Sequence, residues 1–148
     1  MPRKHFSTWA GGVAIVTAAL LTASAVRAQS PAPLQQIGVP DTATELEGRP
    51  EVRVETTQRT ATRRELSASE AADSRLTIRI RDGALYWGAE ERPLMVNPSG
   101  EFVYLSSAEP GRYVRLRRVN DRLTYVEHVD LGSRSITYWG ELRIVLGR

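Results

Sequence analysis

The chain has 148 residues, no cysteine, 20 basic and 17 acidic residues. That length allows one small domain, and the lack of thiols excludes a disulfide framework, a cysteine metal site and a lipid-modified amino-terminal cysteine. The formal charge of +3 does not mark a nucleic-acid binder. Arg3, Lys4 and Arg27 lie in the first 28 residues and every acid lies beyond them, which leaves 17 basic and 17 acidic residues in the remainder and no excess charge to draw a polyanion.

Residues 1–28 read as a secretory signal peptide. Arg3, Lys4 and His5 make a basic start, residues 10–25 are apolar and small, and Val26-Arg27-Ala28 precedes Gln29 with small residues at the −3 and −1 positions. The expected exported form begins at Gln29 and is periplasmic or secreted. Residues 9–26 are at the short limit for a membrane span, so membrane attachment enters only through an uncleaved signal. Residues 29–50 contain Pro31, Pro33, Pro40, Pro50, Gly38 and Gly48 with few large apolar residues. They read as a disordered linker.

Residues 51–148 read as a single β-domain. Over 51–57, Val52, Val54 and Thr56 alternate with Glu51, Arg53 and Glu55, the period of a half-buried strand. Ser67-Ala68-Ser69-Glu70 fits a capping box and predicts one short helix. Leu76, Ile78 and Ile80 alternate with arginines and threonine up to Asp82-Gly83, a strong signal for a two-residue hairpin turn. Residues 84–88 return, and 93–96 lead into Asn97-Pro98-Ser99-Gly100, read as a turn. Residues 102–105 return, Pro110-Gly111 breaks the chain, and 113–119 turn at Asn120-Asp121 into 123–130. Leu131-Gly132-Ser133 turns into a last strand over 136–146, in which Gly140 is expected to mark a bulge. The result is all-β: a small antiparallel meander barrel, or sandwich, of about eight strands with a disordered amino-terminal tether.

Tyr-Trp-Gly occurs at 86–88 and again at 138–140. The flanks align poorly, so we read coincidence rather than duplication. The 82–83 turn pairs Ile78 with Trp87 and Ile80 with Leu85, which sends Trp87 inward and leaves Tyr86 outside opposite Arg79, in reach of a cation–π contact. A two-residue turn at 120–121 opposes Leu116 to Tyr125 and Val114 to Glu127. Glu127 then faces the apolar side, where a carboxylate is costly unless paired, and Arg118 shares that face. Trp87, Tyr125, Glu127, Arg118 and Trp139 are therefore the candidate ligand-binding residues. Tyr113, Arg115 and Arg117 share the opposite face and form the candidate interaction surface.

His128 is the only histidine beyond the signal segment and is read as structural. No nucleophile motif accompanies it, so no catalytic residue, metal site or cofactor is expected. These features predict a non-enzymatic binding or interaction module of the bacterial cell envelope. It would take a small amphipathic ligand or a partner protein, and no nucleic acid. The alternatives are a structural subunit of an envelope complex and a small enzyme using acids in a barrel mouth. A filled interior with an open sheet edge favours the structural subunit; inward carboxylates in a pair favour the enzyme.

Overall fold

The computed structural model describes residues 32–108 and 110–147; the expected signal peptide and its cleavage site lie outside them. The described chain forms α1 (Ala32–Gln36), β1 (Ala43–Thr57), β2 (Ala61–Glu65), α2 (Ala68–Asp73), β3 (Leu76–Arg81), β4 (Ala84–Trp87), β5 (Met95–Ser99), β6 (Phe102–Ser106), β7 (Arg112–Val119), β8 (Arg122–Asp130) and β9 (Arg134–Leu146). Eight strands lie in the order β4-β3-β1-β9-β8-β7-β6-β5, every pair antiparallel. The two ends of that order nearly meet. Tyr86 bridges to Pro93, and the Leu94 N–H donates to the Leu85 carbonyl at 2.7 Å. The architecture is thus a nearly closed up-and-down barrel, which removes most of the exposed sheet edge.

The hairpins follow from local chemistry. Asp82 and Gly83 have φ of 51° and 74°, and Asn120 and Asp121 have φ of 47° and 64°. Two positive φ values match the right-handed twist of the flanking strands, and Asn, Asp and Gly reach that region at least cost. Both registers agree with expectation: Ile78 opposes Trp87, Leu116 opposes Tyr125 and Val114 opposes Glu127. The turn expected at 97–100 is displaced. Pro98 lies inside β5 opposite Val103, and the reversal comes at Gly100-Glu101. β5 ends the hydrogen-bonded order, where a proline without a ladder N–H is tolerated.

β1 changes neighbour along its length. Glu45 to Gly48 pair with β3, whereas Val52 to Thr56 pair with β2. Pro50 stands between the two stretches, and the register with β9 slips from Pro50–Gly140 to Val52–Trp139. The extra residue is Glu51, so the bulge expected in the last strand belongs to β1, opposite Gly140. A Cβ on Gly140 would lie 2.1 Å from the Arg49 carbonyl oxygen. Glycine here permits the close approach of two backbones.

The linker expected over 29–50 is corrected from Ala32 onward, where these residues build part of the barrel. Leu34, Ile37 and Val39 are buried in the same core as Leu46, Leu105 and Leu116. α1 packs against β5, at the end where β1 starts and β9 finishes, with Ala43 opposite Leu146. Proline and glycine content alone does not reveal Leu34, Ile37 and Val39 as core residues. Gly38, with φ 75°, ends the helix, and its N–H donates to Gln35 O at 2.9 Å. α2 carries the predicted capping box: the Ser67 side chain accepts from the Glu70 N–H and the Glu70 side chain accepts from the Ser67 N–H. No helix among the described residues is long and apolar enough to cross a membrane.

Candidate functional site

The interior of the barrel is filled by its own side chains. Leu34, Leu46, Ile78, Leu85, Leu105 and Leu116 are fully buried, and Trp87 and Tyr125 are nearly so. The five candidate ligand residues separate into three places. Trp87, Tyr125 and Glu127 face inward together. Arg118 faces the α1 end. Trp139 faces outward, 37% exposed.

Arg118 is not the partner of Glu127. Its Nε donates to Ile37 O at 2.8 Å, its Nη2 to Gly38 O at 3.1 Å and its Nη1 to Asp121 O at 2.9 Å. It ties the last turn of α1 and its glycine to the β7–β8 hairpin. Glu127, 4% exposed, is held instead by Arg112, which donates from Nε at 2.8 Å with Nη2 at 2.7 Å, both to Oε1. Register arithmetic contains this answer. Arg118 pairs with Leu123, two same-face positions from Glu127, whereas Arg112 pairs with Val129, only one away. A buried carboxylate recruits the nearest cation on its own face.

The Arg112 guanidinium also lies over the Trp87 ring, 4.3 Å from its centroid. Trp87 is the last residue of β4 and Arg112 the first of β7, so this cluster forms the barrel mouth opposite α1. A cleft of about 170 Å³ opens there, lined by Trp87, Glu90, Arg92, Pro93, Pro110 and Arg112 with Ser107 and Ala108. Inside the barrel, the Tyr125 hydroxyl and Trp87 Nε1 are buried without a hydrogen-bond partner among the described residues. Burial pushes the Tyr125 phenol well above its ordinary value, and the nearby charge of Glu127 pushes it further. Tyr125 is thus a neutral hydroxyl at any physiological pH.

The outer face is a second arrangement. Tyr113, Arg115 and Arg117 on β7, Val126 and His128 on β8 and Trp139 on β9 alternate away from the core. Trp139, Val126, Val119, Arg115 and Arg117 line a shallow groove of about 350 Å³ together with Glu51 and Glu141. Arg115 and Arg117 lie 4.9 and 5.6 Å from the Phe102 centroid. His128 stacks on Tyr113 with 5.1 Å between centroids and contacts the Thr137 hydroxyl at 3.1 Å through Nδ1. The cation–π contact expected between Arg79 and Tyr86 is made by Arg81, 4.8 Å from the ring. Arg81 sits diagonally across the hairpin, still within side-chain reach.

No family model, no curated protein and no solved structure matches the chain. Geometry and chemistry alone therefore carry the functional argument. Among the described residues, no three His, Asp or Glu side chains group around a metal position. The two Tyr-Trp-Gly triplets are not equivalent in space, because Trp87 is buried inside and Trp139 is exposed outside.

Proposed function

We propose that this protein is an exported, non-enzymatic interaction module of the bacterial cell envelope that holds a partner protein on the outer face of β7, β8 and β9. The observation that carries this reading is that face itself. It brings together an exposed tryptophan, an exposed tyrosine and two arginines around Val126. Tryptophan, tyrosine and arginine are the residue types that dominate binding energy at protein interfaces. Arg115 and Arg117 share the groove with Val126 and Trp139, and with Glu51 and Glu141, which favours a partner that presents an apolar side chain with an acid placed toward the arginines.

The filled interior speaks against a carrier that encloses an amphipathic ligand, since the required volume is occupied by leucine, tryptophan and tyrosine side chains. The engagement of Glu127 by Arg112 speaks against an acid-dependent enzyme, since the inward carboxylate already serves as an ion-pair partner. The structural-subunit reading has one specific observation behind it. Among the described residues β2 pairs only with β1, and all five of its residues are exposed, which leaves a polar edge for pairing.

The test is site-specific photo-crosslinking in cells. A crosslinker replacing Trp139 should capture a defined protein, whereas one replacing Arg63 on β2 should not. Charge reversal of Arg115 and Arg117 should abolish the Trp139 product and leave the melting temperature unchanged. Capture from Arg63 alone would favour the structural subunit, and equal capture from both positions would overturn the assigned face.

A further inference from the structure

We propose that the barrel mouth is a separate binding site for a small monocarboxylate, with Arg112 as its anchor. A guanidinium carries five N–H donors, four of which form two forks. The side fork, Nε with Nη2, is committed to Glu127 Oε1 at 2.8 and 2.7 Å. One flat face is committed to Trp87 at 4.3 Å. The end fork, Nη1 with the second Nη2 hydrogen, makes no hydrogen bond among the described residues, and the Arg112 side chain retains 39% exposure while lining the cleft. A guanidinium held on one edge and one face is preorganised, so less entropy is lost when its remaining fork is used. The geometry of that fork matches the two oxygens of a carboxylate.

The surroundings select the class of anion. Arg92 and Arg112 line the cleft with Glu90, and Glu127 lies behind Arg112. Glu90 at the cleft and Glu127 behind Arg112 repel a phosphate dianion more strongly than a single negative charge. The walls include Trp87, Pro93, Ala108 and Pro110, which suit a short apolar or planar body. The volume of about 170 Å³ is below the roughly 300–1,000 Å³ of drug-sized pockets, so the occupant is a fragment. It is either a free small acid or the terminal carboxylate of a peptide. Glu127 is a positioning residue here, since it acts through Arg112.

Two-dimensional NMR of the exported chain tests this by following the Trp87 indole N–H. Benzoate, benzamide, phosphate and a short apolar peptide with a free or an amidated carboxyl end are titrated at matched ionic strength. Benzoate should produce a saturable shift with an affinity of about 1 mM, as expected of a fragment. Benzamide and phosphate should produce none. If the peptide with the free end binds tighter than benzoate, the occupant is a chain terminus; if it binds no tighter, the occupant is a free acid. Arg112→Lys keeps the charge and loses the fork, and should weaken benzoate at least tenfold. The benzoate–benzamide contrast needs no variant, so it holds even if Arg112→Lys fails to fold. Absence of a saturable benzoate shift, or equal shifts with benzamide or phosphate, overturns the proposal. None of these outcomes bears on the outer face.

Discussion

Tyr125 and Trp87 are large side chains buried in the barrel interior. The Tyr125 hydroxyl is buried without a partner among the described residues, and an unsatisfied buried hydroxyl costs about 1–3 kcal/mol. Tyr125→Phe should therefore match or exceed the parent in stability, by up to about 1 kcal/mol, in a denaturant melt. The same substitution should act at alkaline pH. A folded-state phenol raised above its ordinary 10.0 contributes stability present below that pH and lost as pH rises beyond it. The parent should therefore lose stability above about pH 10 more steeply than Tyr125→Phe, and equal slopes would contradict the burial. Trp87→Ala should cost about 3–5 kcal/mol, because the ring fills the core and supports Arg112. A loss below about 1 kcal/mol would mean the mouth collapses around it.

Among the elements, α2 shows how a short helix is held by its start. Ser67 and Glu70 close the capping box, and Arg64 on β2 donates to the same carboxylate. The Arg64 bond first, then the Ser67 backbone and side-chain bonds, lower Glu70 from 4.5 to about 2. A depressed carboxylate contributes stability above its unfolded value, and that stability is lost as pH falls through the folded one. The Glu70 contribution should thus fade between about pH 4.5 and 2, and Glu70→Gln should flatten the melting-temperature profile over that window. β1 and β9 show the opposite dependence, on a contact remote in sequence. Gly140→Ala places a methyl on the Arg49 carbonyl and should cost about 1–3 kcal/mol or more by overpacking. A melt within about 0.5 kcal/mol of the parent would show that the bulge at Glu51 relaxes freely.

For the molecule as a whole, the barrel is sealed at one end and open at the other. Leu34, Ile37 and Val39 seal the α1 end, and Arg118 fastens the turn that carries them. Burying three such side chains stabilises by about 3–8 kcal/mol, comparable to the whole stability of a small domain. Removal of residues 32–42 should therefore drop the melting temperature sharply, and proteases should spare this stretch in the folded protein. Rapid trimming to residue 50 with no loss of the folded core would show that α1 does not seal the barrel.

Alternation, Asp82-Gly83 and Asn120-Asp121 by themselves determined the β3–β4 and β7–β8 hairpins with their registers, and hence the inward Trp87, Tyr125 and Glu127. Those depend on neighbours a few residues away and on a period of two, which the chain carries locally. Tyr113, Arg115 and Arg117 were placed on the outer face for the same reason. Only the tertiary structure decided that 32–50 belongs to the barrel, since three apolar residues reveal their role only when a barrel end exists to receive them. It also decided that Arg118 serves α1 while Arg112 serves Glu127. Both arginines lie on the inward face of β7, and what separates them is the α1 carbonyls at one end and the buried carboxylate at the other. Such partners come from chain segments about 80 residues apart, or from a race between cations for one buried charge.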